Sequence, residues 1–114
     1  MFRGEIWLGV WPNDPNKTPR PLLIVSNNHR NSAAGILDLV VVKLTSLHRH
    51  DKTEKPTNPA EDLVLTFKKP TIIRCASIYA VEKALLTKRV DQLTPDQMKK
   101  IDALLKTTLD LHLS

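Results

Sequence analysis

Arginine and hydroxyl side chains near the ends of predicted strands are the strongest candidates for chemistry in this sequence. Arg20 stands between two prolines before an apolar run, Thr45 and Ser46 directly follow another run, and Arg74 lies inside a third. An arginine keeps its charge, and its planar guanidinium can bind a phosphate through two hydrogen bonds. The flanking prolines stiffen the backbone at Arg20, which limits the entropy lost on binding. The pattern indicates a phosphate site, although most single arginines are simply exposed.

Signatures of several other kinds of site are missing. The three glycines are scattered, so the sequence has no glycine-rich phosphate loop, and it has no HExxH motif. His48, His50 and Asp51 could hold a metal on paper, but their hydrophilic segment reads better as a solvated loop. We therefore expect no metal and no cofactor. Cys75 is the only cysteine, which excludes an internal disulfide and suits the cytoplasm.

Length and charge narrow the class of protein. The 114 residues fit one domain, 1–114, and no apolar stretch approaches the roughly 18 residues of a membrane span. A net charge of +5 favours a polyanionic or acidic partner. Many small basic proteins bind no nucleic acid, so charge alone is a weak pointer.

Short apolar runs between polar loops predict a mainly β protein. A closed or nearly closed barrel is favoured, because there is little helical pattern before the C-terminal end. We expect loops at 11–19 and 48–61, a turn-rich segment at 27–35 and a short helix at 81–86. The predicted strands are 5–10, 21–26, 36–44, 63–65 and 71–75, with 77–81 as a candidate continuation of the last.

The C-terminal segment changes to helical spacing. Thr94 can cap a helix, Pro95 suits its first turn, and Gln97 occupies the capping-box position. Apolar residues then recur at helical spacing at Met98 and Ile101 and onwards. The sequence therefore predicts an α+β protein whose last element is an amphipathic helix.

Five segments resemble the MazF/PemK toxin family, and they follow one another in the family's order. Each match is weak alone, but five in register are strong. The resemblance implies a homodimer of small, SH3-like β-barrels with a C-terminal helix, a fold shared by CcdB and MazF. The segments are R-G-E-I-W-L at 3–8, R-P-L-L-I-V-S-N at 20–27 followed by Asn31, V-K-L-T-S at 42–46, I-R-C at 73–75 and L-T-P-D-Q-M at 93–98.

The resemblance also implies a function, that of a type II toxin that cleaves single-stranded RNA or mRNA at short motifs without a metal. The ribose 2′-OH would attack the adjacent phosphate and leave a 2′,3′-cyclic phosphate. By the family pattern, Arg20 would stabilise the phosphorane charge or protonate the leaving oxygen, Thr45 would hold the scissile phosphate or the attacking hydroxyl, and Arg74 would be a second phosphate cation. An antitoxin with an acidic C-terminal segment would occupy the RNA groove. The residues expected to contact RNA are Trp11, Lys17, Asn27, Ser46 and Ser77.

Two departures from the family pattern leave alternatives open. Many members carry an acidic residue directly after the Arg-Cys pair, where this chain has Ala76 and then Ser77, and the first loop lacks the family's G-x-E-Q stretch. Because alanine cannot accept a proton, one alternative is a relative that binds RNA or antitoxin without cleavage. Another is a gyrase poison similar to CcdB. The L-H-L-S ending at 111–114, in place of Trp-Gly-Ile, argues against it.

Overall fold

The computed structural model describes residues 1–112, in which six strands form one antiparallel sheet. Leu113 and Ser114, on which part of the comparison with CcdB depends, lie outside the described residues. The elements are β1 (Glu5–Gly9), β2 (Arg20–Ile24), α1 (Asn28–Ser32), β3 (Asp38–Ser46), β4 (Asp62–Thr66), β5 (Pro70–Glu82), a 3-10 turn (Lys83–Leu85), β6 (Lys88–Gln92) and α2 (Pro95–Thr108).

The sheet curls into a half-barrel. Its strand order is β4-β5-β3-β2-β1-β6, so β4 and β6 are the two edges. Residues 88–91 of β6 and residues 67–69 beside the opposite edge line one common groove, which shows how far the sheet curls. The predicted α+β architecture, a small barrel-like sheet with a C-terminal helix, is confirmed.

Both faces of the sheet are covered by apolar side chains. Leu23, Val42 and Ile73 pack with Ile101 of α2 on one face, and Leu22 and Leu86 belong to a second buried cluster. Successive residues of a strand point to opposite faces. The continuous apolar run in β2 is therefore buried on both sides, as its sequence predicts.

Three differences from the predicted elements have simple causes. The prediction of a helix at 81–86 is wrong. Val81 pairs with Leu39 near the end of β5, and only Lys83–Leu85 forms a 3-10 turn. The turn-rich segment contains the one-turn helix α1. The sequence did not predict β6 because all five of its residues are exposed, so it shows no apolar alternation.

The capping box of α2 is present as predicted. The Thr94 hydroxyl accepts a hydrogen bond from the Gln97 backbone N–H at 3.2 Å, and the Gln97 side-chain oxygen accepts one from the Thr94 N–H at 2.9 Å. Arg3 then ties this helix to the start of the chain through an ion pair of 2.6 Å with Asp102. The helix is thereby fixed on one face of the sheet.

Buried Glu5 organises the N-terminal segment. Its carboxylate accepts hydrogen bonds from the Phe2 N–H at 2.8 Å and the Trp7 indole N–H at 3.1 Å, and it pairs with Arg89 of β6 at 3.1 Å. Burial raises the pKa of Glu5, but these hydrogen bonds outweigh burial, so its pKa lies below the ordinary value. The R-G-E-I-W segment at 3–7 therefore has a structural role.

Candidate active site

Arg20 and Thr45 come together across neighbouring strands. Leu22 of β2 lies opposite Lys43 of β3, and Arg20 and Thr45 each lie two residues further along their strands, towards the same end of this strand pair. Lys43 and Thr45 flank buried Leu44, whose side chain packs in the cluster that includes α2. Because side chains alternate along a strand, Lys43 and Thr45 point to the face away from α2. Two residues 25 positions apart in the sequence are thus brought to the same end of neighbouring strands.

Two adjoining clefts are both lined by Arg20 and Thr45. The first cleft, of about 610 Å³, lies against Trp11, Tyr79 and the loop 12–15. The second cleft, of about 690 Å³, lies against His48 and residues 49–52 of the next long loop. Five residues line both clefts, and we call them the shared wall: Arg20, Thr45, Ser46, Lys55 and Lys69.

The two clefts are strongly cationic. The shared wall holds three cations, the first cleft adds Lys43, and the second adds Arg49 and Lys52. Among the described residues that line the clefts, Asp14 is the only one with a carboxylate. Its oxygens accept hydrogen bonds from the N–H groups of Asn16 and Thr18 at 3.0 and 3.2 Å. This acid therefore shapes its own loop, and the clefts offer a site for a polyanion.

The long loop at 48–61 folds back onto β3. The Arg49 N–H donates to the Thr53 carbonyl at 2.8 Å, and the Lys55 N–H donates to the Leu47 carbonyl at 2.8 Å. The Lys55 ammonium then donates to the Thr45 hydroxyl oxygen at 2.7 Å. Partial burial lowers the pKa of Lys55, and neighbouring cations, Arg74 first among them, lower it further.

Trp11 is placed for contact with a flat ligand. Its ring centroid lies 5.5 Å from that of Tyr79, with the rings tilted by 59°. The Lys43 ammonium lies 5.2 Å from the centroid of the Trp11 ring. Trp11 remains partly exposed in the first cleft. The indole is therefore both packed against neighbours and accessible, and its role in stacking on a base stays a prediction.

Arg74 is held away from the shared wall by an acid. Its guanidinium forms an ion pair of 3.0 Å with Asp62 of β4 and donates to the Pro56 carbonyl at 3.2 Å. It lines neither cleft, but it lies opposite Lys43 in the sheet and its charge acts on Lys55. Its predicted role as a phosphate cation stays a prediction, and its observed contacts are structural.

The remaining predicted contact residues divide into two groups. Ser46 belongs to the shared wall. Lys17, Asn27 and Ser77 line neither cleft: Lys17 is an exposed residue of the first loop, and the Asn27 side chain caps α1 by accepting the Arg30 N–H at 2.8 Å. Their contacts with RNA stay predictions.

Ala76 lies in a bulge of β5. Many members of the family that the sequence resembles carry an acidic residue at this position. Val42 pairs with Ile78, whereas the next residue, Lys43, pairs with Arg74, so residues 75–77 of β5 are additional in the ladder. Ala76 is exposed there. Within the bulge, Cys75 is buried, Ser77 is partly buried, and neither residue pairs with β3.

Sequence reasoning missed Lys43, Lys55 and Lys69 as site residues. Lys55 and Lys69 lie among other polar residues, where a lysine carries no distinctive signal, and Lys43 lies within the apolar run of β3. Within the described part of the chain, no group of three or more His, Cys, Asp and Glu could hold a metal ion. No helix among residues 1–112 is long and apolar enough to cross a membrane.

Comparison with known proteins links this geometry to a family. The family model of PemK-like, MazF-like toxins of type II toxin–antitoxin systems matches residues 2–109. An endoribonuclease from a mycobacterial species, in complex with its cognate antitoxin, is 27% identical with a TM-score of 0.77, covering 100% of this chain and 99% of its own. No curated protein sequence matches the chain.

Two further solved structures are similar. An endoribonuclease from a mycobacterial species is 27% identical with a TM-score of 0.74, covering 100% of this chain and 95% of its own. The Mycobacterium tuberculosis toxin MazF-mt6 is 14% identical with a TM-score of 0.72, covering 96% of this chain and 99% of its own. At that identity, the last likeness concerns the fold alone.

Proposed function

The chain belongs to the family of PemK-like, MazF-like toxins of type II toxin–antitoxin systems, and from this premise we propose that it is an endoribonuclease that cleaves single-stranded RNA. Two similar structures with 27% identity over the whole chain are endoribonucleases, which supports the activity. The observation that carries the proposal is that Arg20 and Thr45 both line two adjoining cationic clefts.

The main requirement of the reaction is stabilisation of the negative charge that develops on the phosphate. The 2′-OH loses its proton as its oxygen attacks the adjacent phosphorus, the bond to the 5′ oxygen breaks, and a 2′,3′-cyclic phosphate remains. The leaving 5′ oxygen takes up a proton, from Arg20 or from water, and becomes a 5′-OH. Arg20, exposed at the shared wall, stabilises the negative charge that grows on the phosphate oxygens, and Thr45 binds one of those oxygens. Because Ala76 offers no carboxylate, the proton of the 2′-OH passes to another acceptor. His48 and His50 line the second cleft and are candidates.

The two clefts have different chemistry, and this suggests how an RNA strand lies across them. The first cleft offers the rings of Trp11 and Tyr79, which suit the face of a base. The second cleft offers Arg49 and Lys52, which suit phosphates. With the scissile phosphate at the shared wall, the strand runs from one cleft to the other.

Partners follow from the same premise. The similar endoribonuclease in complex with its cognate antitoxin supports an antitoxin as partner. An acidic antitoxin segment fits the cationic clefts and would exclude RNA from them. We also propose a homodimer and a cytoplasmic location, as the family resemblance implies.

The direct test is cleavage of a long single-stranded RNA by the purified protein in EDTA. We expect fragments that end in 2′,3′-cyclic phosphate. Arg20→Ala and Thr45→Ala should each lower the rate at least about 10-fold, as expected for loss of a charge-stabilising or phosphate-binding group. Lys100→Ala, at an exposed position of α2 on the other face of the sheet, is the control and should cleave at the wild-type rate.

Each contrary result has a definite meaning. Intact RNA at every protein concentration would refute the ribonuclease proposal, and tight RNA binding without cleavage would favour the binding-only alternative. Wild-type rates for Arg20→Ala and Thr45→Ala would show that the reaction takes place elsewhere.

A further inference from the structure

We propose that Lys55 is a positioning residue for RNA cleavage, and that it orients the Thr45 hydroxyl so that the hydroxyl proton points into the clefts. The inference rests on the proposed ribonuclease function and adds to it a residue from the long loop. The contact between the Lys55 ammonium and the Thr45 oxygen, at 2.7 Å, is its starting observation.

The direction of this hydrogen bond decides what Thr45 can do. An ammonium group has donors and no acceptor, so the Thr45 oxygen accepts and its own proton is free to be donated. Both residues line both clefts, so the proton can be donated to a ligand lying there. A phosphate oxygen accepts hydrogen bonds, and Thr45 oriented in this way presents a donor to it.

The position of Lys55 is fixed by the fold of the loop. Its backbone N–H donates to the carbonyl of Leu47, which follows Thr45 by two residues, so the loop returns its side chain to the end of β3. Within residues 1–112, Lys55 forms no ion pair that would draw the ammonium away from Thr45. The contact between Lys55 and Thr45 is therefore fixed by the backbone of the loop.

The charges around Lys55 give the interaction a pH dependence. Partial desolvation and neighbouring cations lower the pKa of Lys55, so the ammonium loses its proton at a lower pH than an ordinary lysine. A neutral amine can accept the Thr45 proton, which would turn the hydroxyl away from the phosphate. Cleavage should therefore decline as the pH rises through the lowered pKa. The cations that lower the pKa of Lys55 are Arg74, Lys43, Arg49 and Lys69. The other charged and titratable groups that line the two clefts with Lys55 are Asp14, Arg20, His48, His50, Lys52 and Tyr79.

A double-mutant cycle tests whether Lys55 acts through Thr45. Lys55→Met and Thr45→Val remove the donor and the hydroxyl with little change of shape, and each should lower kcat about 10-fold. If Lys55 works through the hydroxyl, the double variant should be no slower than Thr45→Val alone. Lys69→Met is the matched control: Lys69 lines the same wall, and its ammonium makes no hydrogen bond to Thr45 within the described structure, so its effect should multiply with that of Thr45→Val.

The conservative variant Lys55→Arg distinguishes an effect of the charge at position 55 from a purely structural effect. It should restore most of the activity lost in Lys55→Met, and it should shift the alkaline decline of the rate to higher pH because arginine keeps its charge. Independent, multiplying effects of Lys55→Met and Thr45→Val in an active protein would overturn the inference, as would an unchanged alkaline limb in Lys55→Arg. Failure of the wild type to cleave any RNA would instead overturn the proposed function, and this inference with it.

Discussion

RNA binding should weaken steeply with salt, because the clefts hold many cations and almost no carboxylates. The shared wall carries Arg20, Lys55 and Lys69, and the clefts add lysine and arginine residues on either side. Each phosphate that such cations neutralise releases bound counterions from the RNA, and added salt opposes that release. The perturbation that tests this most cleanly is Lys69→Gln, which removes one charge from the wall.

The size of the effect follows from the number of phosphates bound. If the strand across both clefts places about four phosphates on these cations, the slope of log affinity against log salt is about −0.7 for each phosphate, or about −2.8 in total. Raising salt from about 50 to 200 mM should then weaken binding about 50-fold. Removing one contact in Lys69→Gln should reduce the slope to about −2.1 and the loss to about 18-fold.

The assay is fluorescence anisotropy with an RNA oligonucleotide that carries 2′-O-methyl groups, because such a strand has no attacking hydroxyl and stays intact. Lys100→Gln on exposed α2 is the matched control, with the same change of charge on the face away from the clefts. A wild-type slope shallower than about −1, or equal changes of slope in the two lysine variants, would refute the placement of RNA in the clefts.

Two further predictions concern the scaffold. Glu5→Gln should lower the free energy of unfolding by about 1–3 kcal/mol near neutral pH, because the buried hydrogen-bonded carboxylate is lost. Because folding lowers the pKa of Glu5, its contribution to stability is present above its ordinary pKa of 4.5 and fades as the pH falls through the folded pKa. Glu82→Gln, at an exposed position, is the control. In urea unfolding, the difference in unfolding free energy between the two variants should shrink in acid. Gly9→Ala should cost about 1–3 kcal/mol, because an added Cβ would lie 2.7 Å from methyl carbons of buried Leu22 and Leu86. Gly35→Ala, whose Cβ would meet nothing within 4 Å, is its control, and equal melting temperatures for the two variants would contradict the packing argument.

The predictable part of the fold is the part with a repeating apolar pattern. β2 and β3 are rich in buried aliphatic side chains, and the α2 boundary is fixed by the local hydrogen bonds of Thr94 and Gln97. β6 carries no such pattern, because its five residues are exposed and its pairing with β1 is a tertiary effect. The sequence therefore gives no sign of this edge strand, because only its backbone pairing with β1 defines it.

The candidate site divides in the same way. Arg20 and Thr45 lie at the ends of predictable strands, so sequence reasoning could propose them, and both line the same two clefts. Lys55 reaches Thr45 only because residues 48–55 fold back by backbone hydrogen bonds, which no local sequence signal encodes. Arg74 looked similar to Arg20 in the sequence, but Asp62 from a neighbouring strand binds it.

The pairing of charges, more than their number, connects this sequence to its function. Four arginines outside the clefts meet acids: Arg3 with Asp102, Arg30 with Asp38, Arg74 with Asp62 and Arg89 with Glu5. Within residues 1–112, the cations of the shared wall form no such pairs. The acids thus neutralise charge where it holds the scaffold together, and the cations of the shared wall remain free to meet a phosphate chain. An acidic antitoxin segment would meet the same unpaired cations, so inhibition and substrate binding would compete for one electrostatic surface.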